Sequence, residues 1–371
     1  QTGDAAGSEH QDDIWEEYMM AGTDLKSLID RLEETQSLTR EEWTELIRRR
    51  NPETAEYLFE RAREVRIRHY GRDIFIRGLI EFTNYCRNDC YYCGIRKSNG
   101  KAERYRLTKD QILSCCEQGY RLGFRTFVLQ GGEDGWFTDE RMADIISEIR
   151  SGWPDCAITL SIGERERESY QMFFEAGANR YLLRHETFDH DHYARLHPPG
   201  LSAAHRQKCL RDLKEIGYQV GTGFMVGSPY QTPENLADDM IFLKELNPQM
   251  VGIGPFIPHH DTPFADREAG TVELTVYMLG LIRLLLPKVL LPSTTALGTI
   301  SPDGRERGVL AGANVVMPNL SPTQVREKYL LYDNKLCTGD EAAESLKNLD
   351  ARMKAIGYHI TVARGDSLNI S

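Results

Sequence analysis

No apolar run in the 371-residue sequence reaches the length of a membrane span. The longest candidate, residues 277–291, is broken by Arg283, Pro287 and Lys288, whereas a spanning helix needs about 20 predominantly apolar residues. It reads as a buried helix followed by a strand. Positive charge is in deficit: 45 Lys and Arg against 56 Asp and Glu leave a net charge of -11, which excludes nucleic acid as the principal partner. Cysteine is sparse, with 8 residues. A chain of this length without a cleavable signal sequence does not resemble the small secreted scaffolds that disulfides staple, so the thiols are expected to be reduced and the location cytoplasmic. A phosphate-binding glycine loop with a lysine is missing, as is any Ser-His-Asp array, and nucleotide-triphosphatase and hydrolase chemistry find no support. What remains is a 40% hydrophobic chain able to bury a large core. Residues 1–13, polar and rich in Gly, Ala and Asp, are expected to form a disordered leader.

Three of the cysteines stand together in the run Thr83-Asn-Tyr-Cys-Arg-Asn-Asp-Cys-Tyr-Tyr-Cys-Gly-Ile-Arg96, directly after the apolar segment 74–82. Structural zinc usually takes two ligand pairs, and no second pair follows at such spacing. Three thiolates ligate three irons of a four-iron cluster and leave the fourth open to a small molecule. Cys115, Cys116, Cys156 and Cys209 fall in or beside helix- and strand-like segments, where a free cysteine is most often a small buried hydrophobe. With Tyr92 preceding the last cysteine, the triplet resembles the signature of the radical S-adenosylmethionine (SAM) superfamily. That resemblance implies one [4Fe-4S] cluster on Cys86, Cys90 and Cys93, with SAM held through its amino and carboxylate groups on the open iron. One electron from the cluster then splits SAM to a 5'-deoxyadenosyl radical.

Along the chain, short apolar strands alternate with amphipathic stretches, the pattern of parallel β/α units. Eight strands are predicted, at 74–82, 126–130, 157–161, 180–184, 218–223, 250–254, 289–293 and 313–317. Helices are predicted near 108–122, 138–149, 166–176, 204–216, 233–246, 271–286 and 302–311, several opened by Thr, Ser, Asp or Pro in capping positions. The expected fold is α/β: a complete (β/α)8 TIM barrel over residues 72–322, with an N-terminal helical extension over 14–71 and a C-terminal helical tail over 323–371 ending in a short strand. Thr39-Arg-Glu-Glu42 reads as a capping box inside the extension.

Active sites of such barrels lie at the C-terminal strand ends, and the unusual residues gather there. The cysteines follow strand one and Gln130-Gly-Gly-Glu-Asp134 follows strand two; Ser161-Ile-Gly-Glu164 follows strand three and Arg184-His-Glu-Thr187 strand four. Gly131 and Gly132 let backbone approach a ligand closely, the alternative being a plain turn. In the superfamily a Gly-Gly-Glu stretch at this place accepts from the methionine ammonium, and Glu133 is its acidic member here. Ser161 and Glu164 are further cofactor candidates. Arg184 and Glu186 share a face at alternate strand positions and suit a carboxylate and ribose hydroxyls, as does Arg206; the alternative is a barrel-mouth salt bridge. His185 faces the other way, as a structural histidine. The adjacent His259 and His260 in a proline-bracketed loop are not expected to share a metal ion.

Beyond the superfamily, residues 72–337 resemble the HydE family of [FeFe]-hydrogenase maturases. Ile76-Arg-Gly-Leu-Ile-Glu-Phe82, Tyr91-Tyr-Cys-Gly-Ile-Arg96, Val128-Leu-Gln-Gly-Gly-Glu-Asp134, Arg180-Tyr-Leu-Leu-Arg-His-Glu-Thr187, Val251-Gly-Ile-Gly-Pro-Phe-Ile-Pro-His259 and Thr294-Thr-Ala-Leu-Gly-Thr299 carry the likeness. It implies a radical that attacks the cysteine sulfur of an iron complex bearing carbon monoxide, cyanide and cysteine, an organometallic small molecule supplied by another maturase. Arg77 then matches a family arginine near an anion site in the cavity, and Met225 and Tyr329 match residues lining it near the substrate. A flavodoxin- or ferredoxin-like electron donor is implied, and a monomer that docks transiently with other maturases is expected. Some members hold a second cluster on three further cysteines. Here only Cys337 fits, with Ser345 and Asn348 where the others would fall, so no second iron-sulfur cluster is expected. Methylornithine synthase, a lysine mutase of similar barrel, is the rival reading. A non-catalytic carrier of a metal precursor is the alternative of a different class, while biotin synthase would need extra cysteine ligands absent from these strand ends.

Overall fold

The computed structural model describes residues 24–336 and 342–369, so the expected leader and Cys337 lie outside the described residues. Three helices open it: α1 (Leu25–Thr35), α2 (Arg40–Arg48) and α3 (Pro52–Tyr70). Each begins at a side chain that accepts from an otherwise orphaned backbone N–H: Asp24, Thr39 in the expected capping box with Glu42, and Asn51 ahead of Pro52. Their buried faces, including Leu28, Leu32, Trp43 and Leu46, share one core with Leu279 and Ile282.

Strands β1 (Asp73–Ile76) and β2 (Gly78–Thr83) follow, then α4 (Lys109–Arg121), β3 (Thr126–Gly131), α5 (Asp139–Gly152), β4 (Ala157–Ser161), α6 (Arg167–Ala176) and β5 (Arg180–Leu182). Next come α7 (His190–Leu196), α8 (Ala203–Ile216), β6 (Gln219–Thr222), β7 (Met225–Val226), α9 (Pro233–Leu246), β8 (Met250–Val251) and β9 (Gly254–Pro255). The rest comprises α10 (Val272–Leu285), α11 (Thr295–Ile300), α12 (Gly304–Leu310), β10 (Val315–Val316), α13 (Thr323–Arg326), α14 (Ala342–Ala355) and β11 (His359–Thr361).

The continuous sheet is parallel and six-stranded, in the order β2-β3-β4-β5-β6-β8. This falls short of the expected unbroken eight strands, for local reasons. The first predicted strand breaks at Arg77, and its lower half, β1, pairs in a separate sheet of order β10-β1-β11. The sixth breaks at Gly252, whose missing side chain leaves nothing to pack, and its upper half pairs with β7. The seventh contains Pro292, which lacks a backbone donor, and it makes only the single bridges Met250–Leu290 and Pro292–Val315. Discrete backbone bonds run along this edge: Leu290 N to Gln249 O at 2.9 Å, Ser293 N to Val315 O at 2.9 Å and Leu79 N to Pro318 O at 2.9 Å. The expected final strand is present as β11, which joins β1 in parallel with Asp73 opposite His359. Among the described residues no helix is long and apolar enough to cross a membrane.

Candidate cluster and cofactor site

The cysteine loop leaves β2 and is fixed by its own backbone and by one arginine. Asn84 donates to the carbonyls of Glu103 (2.8 Å) and Lys328 (2.7 Å) and accepts from Tyr105 N (2.8 Å), closing the loop at its base. Arg104 fills the interior: its guanidinium donates to the carbonyls of Asn84 (2.5 Å), Ile95 (2.8 Å), Arg96 (2.7 Å) and Asn99 (3.1 Å). Asp89 receives Ser98 N at 2.7 Å. Cys86, Cys90 and Cys93 are all free and half-buried. Burial, then the neighbouring thiols, raises the Cys90 pKa, and burial pushes Cys93 up to about 12. The loop therefore concentrates thiols that need a cation before they ionise. Beside them, Tyr92 reaches His197 Nε2 at 3.0 Å, and His197 Nδ1 lies 2.9 Å from the Tyr193 carbonyl. Burial holds His197 down to about 3, so it is neutral.

A guanidinium-carboxylate network adjoins the loop. A Cβ on Gly132 would lie 2.1 Å from the Tyr85 carbonyl oxygen and 2.8 Å from Cys86 Cβ, so glycine alone lets the strand-end segment lie against the cysteines. Gly163, at φ +78°, would put a Cβ 2.2 Å from the Glu133 carboxylate. Glu133 accepts from Arg87 Nε (2.9 Å) and Glu164 N (2.8 Å), and Glu164 accepts from Arg206 Nη1 (3.2 Å). Arg206 Nε donates to the Arg184 carbonyl at 2.7 Å. Burial opposes the Arg206 charge, but Tyr193, Glu164, Glu133 and Glu186 outweigh it and hold the pKa well above the ordinary value.

Arg184 and Glu186 face each other, Nη2 to Oε2 at 3.1 Å. The angles are poor: Arg184 Nε and Nη2 and Glu186 Oε2 are buried without a hydrogen bond. Glu186 also holds a left-handed backbone, φ 66°, unusual for a non-glycine residue and common where a site imposes it. Ser161 ends its strand opposite Gln130. His185 is the satisfied structural histidine expected, between Thr222 Oγ1 (2.8 Å) and Asp239 Oδ1 (3.1 Å).

Met225 packs with Leu196, Phe256 and Phe264 and, beside them, Tyr91 and Tyr92 of the cysteine loop. Tyr329 is buried, and Lys335 lies over its ring at 4.7 Å while donating to its carbonyl at 2.9 Å. Arg77 is placed differently from its expected partners. Its guanidinium donates to the carbonyls of Arg364 (2.9 Å) and Gly365 (2.6 Å) in the C-terminal segment, and it shares a cavity wall with Arg180, Gln219 and Gln249. Sequence reasoning overlooked Arg104 and the buried Glu81–Lys335 pair at 2.5 Å. Arg104 had a signal in its position shortly after the motif, but the lysine comes from a distant segment that only the fold brings back.

The sequence pattern of the radical SAM superfamily matches residues 80–243. The [FeFe] hydrogenase maturase subunit HydE of Thermotoga maritima is 45% identical over 318 residues, covering 86% of this chain and 89% of that protein. The chain belongs to the HydE family of radical SAM enzymes. The 3-methylornithine synthase of Methanosarcina acetivorans is 28% identical over 342 residues, covering 91% of this chain and 95% of that one. A crystal structure of methylornithine synthase superposes with a TM-score of 0.79 at 26% identity, covering 90% of this chain and 97% of that chain.

The superfamily uses a [4Fe-4S] cluster and SAM, and the donor set fits both groups. Three thiols on one short loop suit a cluster with one iron left open. The unsatisfied Arg184 and Glu186 atoms suit a ligand that carries a carboxylate and hydroxyls.

Proposed function

We propose that this chain is a maturase whose adenosyl radical attacks the cysteine sulfur of an iron complex bearing carbon monoxide, cyanide and cysteine, breaking the iron–sulfur bond and releasing the iron unit. The single observation that carries the reading is the 45% identity to HydE spanning the cysteine loop and the strand ends. Bound at Cys86, Cys90 and Cys93, the cluster supplies the electron that splits SAM into methionine and the 5'-deoxyadenosyl radical.

The chain's own part is to bind, orient and exclude water. Arg104 fixes the loop, and Gly131 and Gly132 bring backbone against it. Glu133, Glu164 and Arg206 form the charged wall, with Ser161 at its strand end. Arg184 and Glu186 offer their unsatisfied atoms to the SAM carboxylate and ribose. Met225 and Tyr329 line the substrate space, where dry apolar walls protect a carbon radical. Arg77 is assigned to the barrel floor, since tail carbonyls already take its donors.

The backbone bonds between residues 249 and 320 close the sheet into a barrel on this reading, with 72–322 as the catalytic unit, 14–71 as a helical extension and 323–371 as the tail. One cluster per chain is expected, because Ser345 and Asn348 on α14 are poor iron ligands. An electron donor and transient contact with another maturase complete the reaction. Methylornithine synthase is the second reading, favoured by the shared fold. The two separate by coupling: with SAM and reductant, SAM cleavage to methionine rises when the iron complex is added, the adenosyl group being recovered on cysteine, and stays unchanged with L-lysine. A rise with lysine alone overturns the maturase reading.

A further inference from the structure

Two groups of metal-ligating side chains lie outside the cysteine loop among the described residues: His259, His260 and Asp333, and Glu164, His205 and Cys209. In the first, the adjacent rings stack with centroids 4.5 Å apart, and Asp333 already meets His260 Nδ1 at 2.7 Å. The Asp333 oxygen is thereby committed to a hydrogen bond.

The second group differs. His205 and Cys209 are four residues apart on α8, hence on one face, and Glu164 arrives from the loop after β4. One atom, His205 Nε2, faces both others, 3.7 Å from Cys209 Sγ and 3.5 Å from Glu164 Oε2. Zinc bonds of about 2.3 Å to sulfur and about 2.0–2.2 Å to nitrogen and oxygen give tetrahedral edges of roughly 3.4–3.6 Å. The observed separations match such edges, and the three ligand atoms lie within 4.8 Å of one another. Glu164 is oriented by its other oxygen on Arg206, and the Cys209 sulfur lies 3.9 Å from the Arg165 carbonyl oxygen. Such outer partners fix the ligands.

We propose that Glu164, His205 and Cys209 form a mononuclear site for a divalent ion of the zinc class, with the fourth position open to water. A single thiolate with imidazole and carboxylate selects a borderline ion over magnesium or calcium. On binding, the Cys209 thiol gives its proton to solvent as the metal–sulfur bond forms. The ion also clamps Glu164, and through Arg206 it restrains Arg184, whose carbonyl Arg206 holds.

The test is zinc X-ray absorption on the reconstituted, cluster-loaded chain after zinc addition and dialysis, alongside metal content. The expected result is one zinc per chain with one sulfur and otherwise nitrogen and oxygen neighbours. His205→Asn, at a side chain 46% exposed and so without consequence for folding, should weaken zinc binding about a hundredfold or more, since losing even an outer partner costs roughly 10–100-fold. Cys209→Ser should remove the sulfur neighbour. Three sulfur neighbours, which would place zinc on the cysteine loop, or affinity unchanged in His205→Asn, overturns the proposal.

Discussion

Arg104 ties four carbonyls of the cysteine loop to one guanidinium, and hydrogen bonds to a charged donor contribute about 1.5–3 kcal/mol each. Arg104→Gln is therefore expected to lose iron on reconstitution, to less than about half the wild-type content, while its far-ultraviolet circular dichroism is kept. Full iron loading in that variant would remove Arg104 from the account. His197 gives a pH dependence. Burial pushes its pKa to about 3 in the folded chain, against about 6.5 unfolded. Above pH 6.5 both states are neutral and stability is complete. As pH falls from there towards 3, the unfolded chain takes up a proton that the folded chain refuses, and stability declines. His197→Gln should flatten the fall of melting temperature between pH 7 and 4, and equal slopes in the two proteins would contradict this assignment.

The C-terminal segment seals the lower end of the strands. β11 pairs with β1, and Asp366 meets Arg180 at 2.7 Å while Arg364 and Gly365 take the Arg77 donors through their carbonyls. Arg180 is nearly fully buried, so Asp366→Asn should destabilise the chain by about 1–3 kcal/mol, less than for a wholly buried pair because Asp366 is a third exposed. Chemical denaturation measures it, and an unchanged midpoint would show that the segment is only draped over the floor. Legibility in the sequence divides along these lines. Helices with Thr, Ser or Pro starts, such as α4, α5, α8 and α9, lie close to their predicted bounds, because capping is local chemistry. The breaks at Arg77, Gly252 and Pro292 were hidden, since apolar alternation runs straight through them. The short helices α7 and α11 are too brief to show periodicity. At the site, the cysteines and strand-end carboxylates were legible because motif and register place them. Arg77's downward destination was not, because its partners come from the other end of the chain.

At the scale of the whole molecule, the strand ends carry a thiol loop, a guanidinium-carboxylate wall and a buried ion pair, Glu81 with Lys335. The family membership makes the chain an enzyme of the adenosyl-radical type. The net charge of -11 suits transient encounters with proteins over binding to nucleic acid, and salt should change the association rate with a partner maturase more than the dissociation rate. The central claim is that the radical's carbon ends up on a cysteine sulfur. It is tested most directly by mass spectrometry of the products after one anaerobic turnover with SAM, reductant and the cysteine-bound iron carbonyl cyanide complex. An adenosylated cysteine formed in step with SAM cleavage is the predicted result. 5'-Deoxyadenosine accumulating with the cysteine unmodified, or methylornithine appearing when L-lysine is supplied instead, would contradict it.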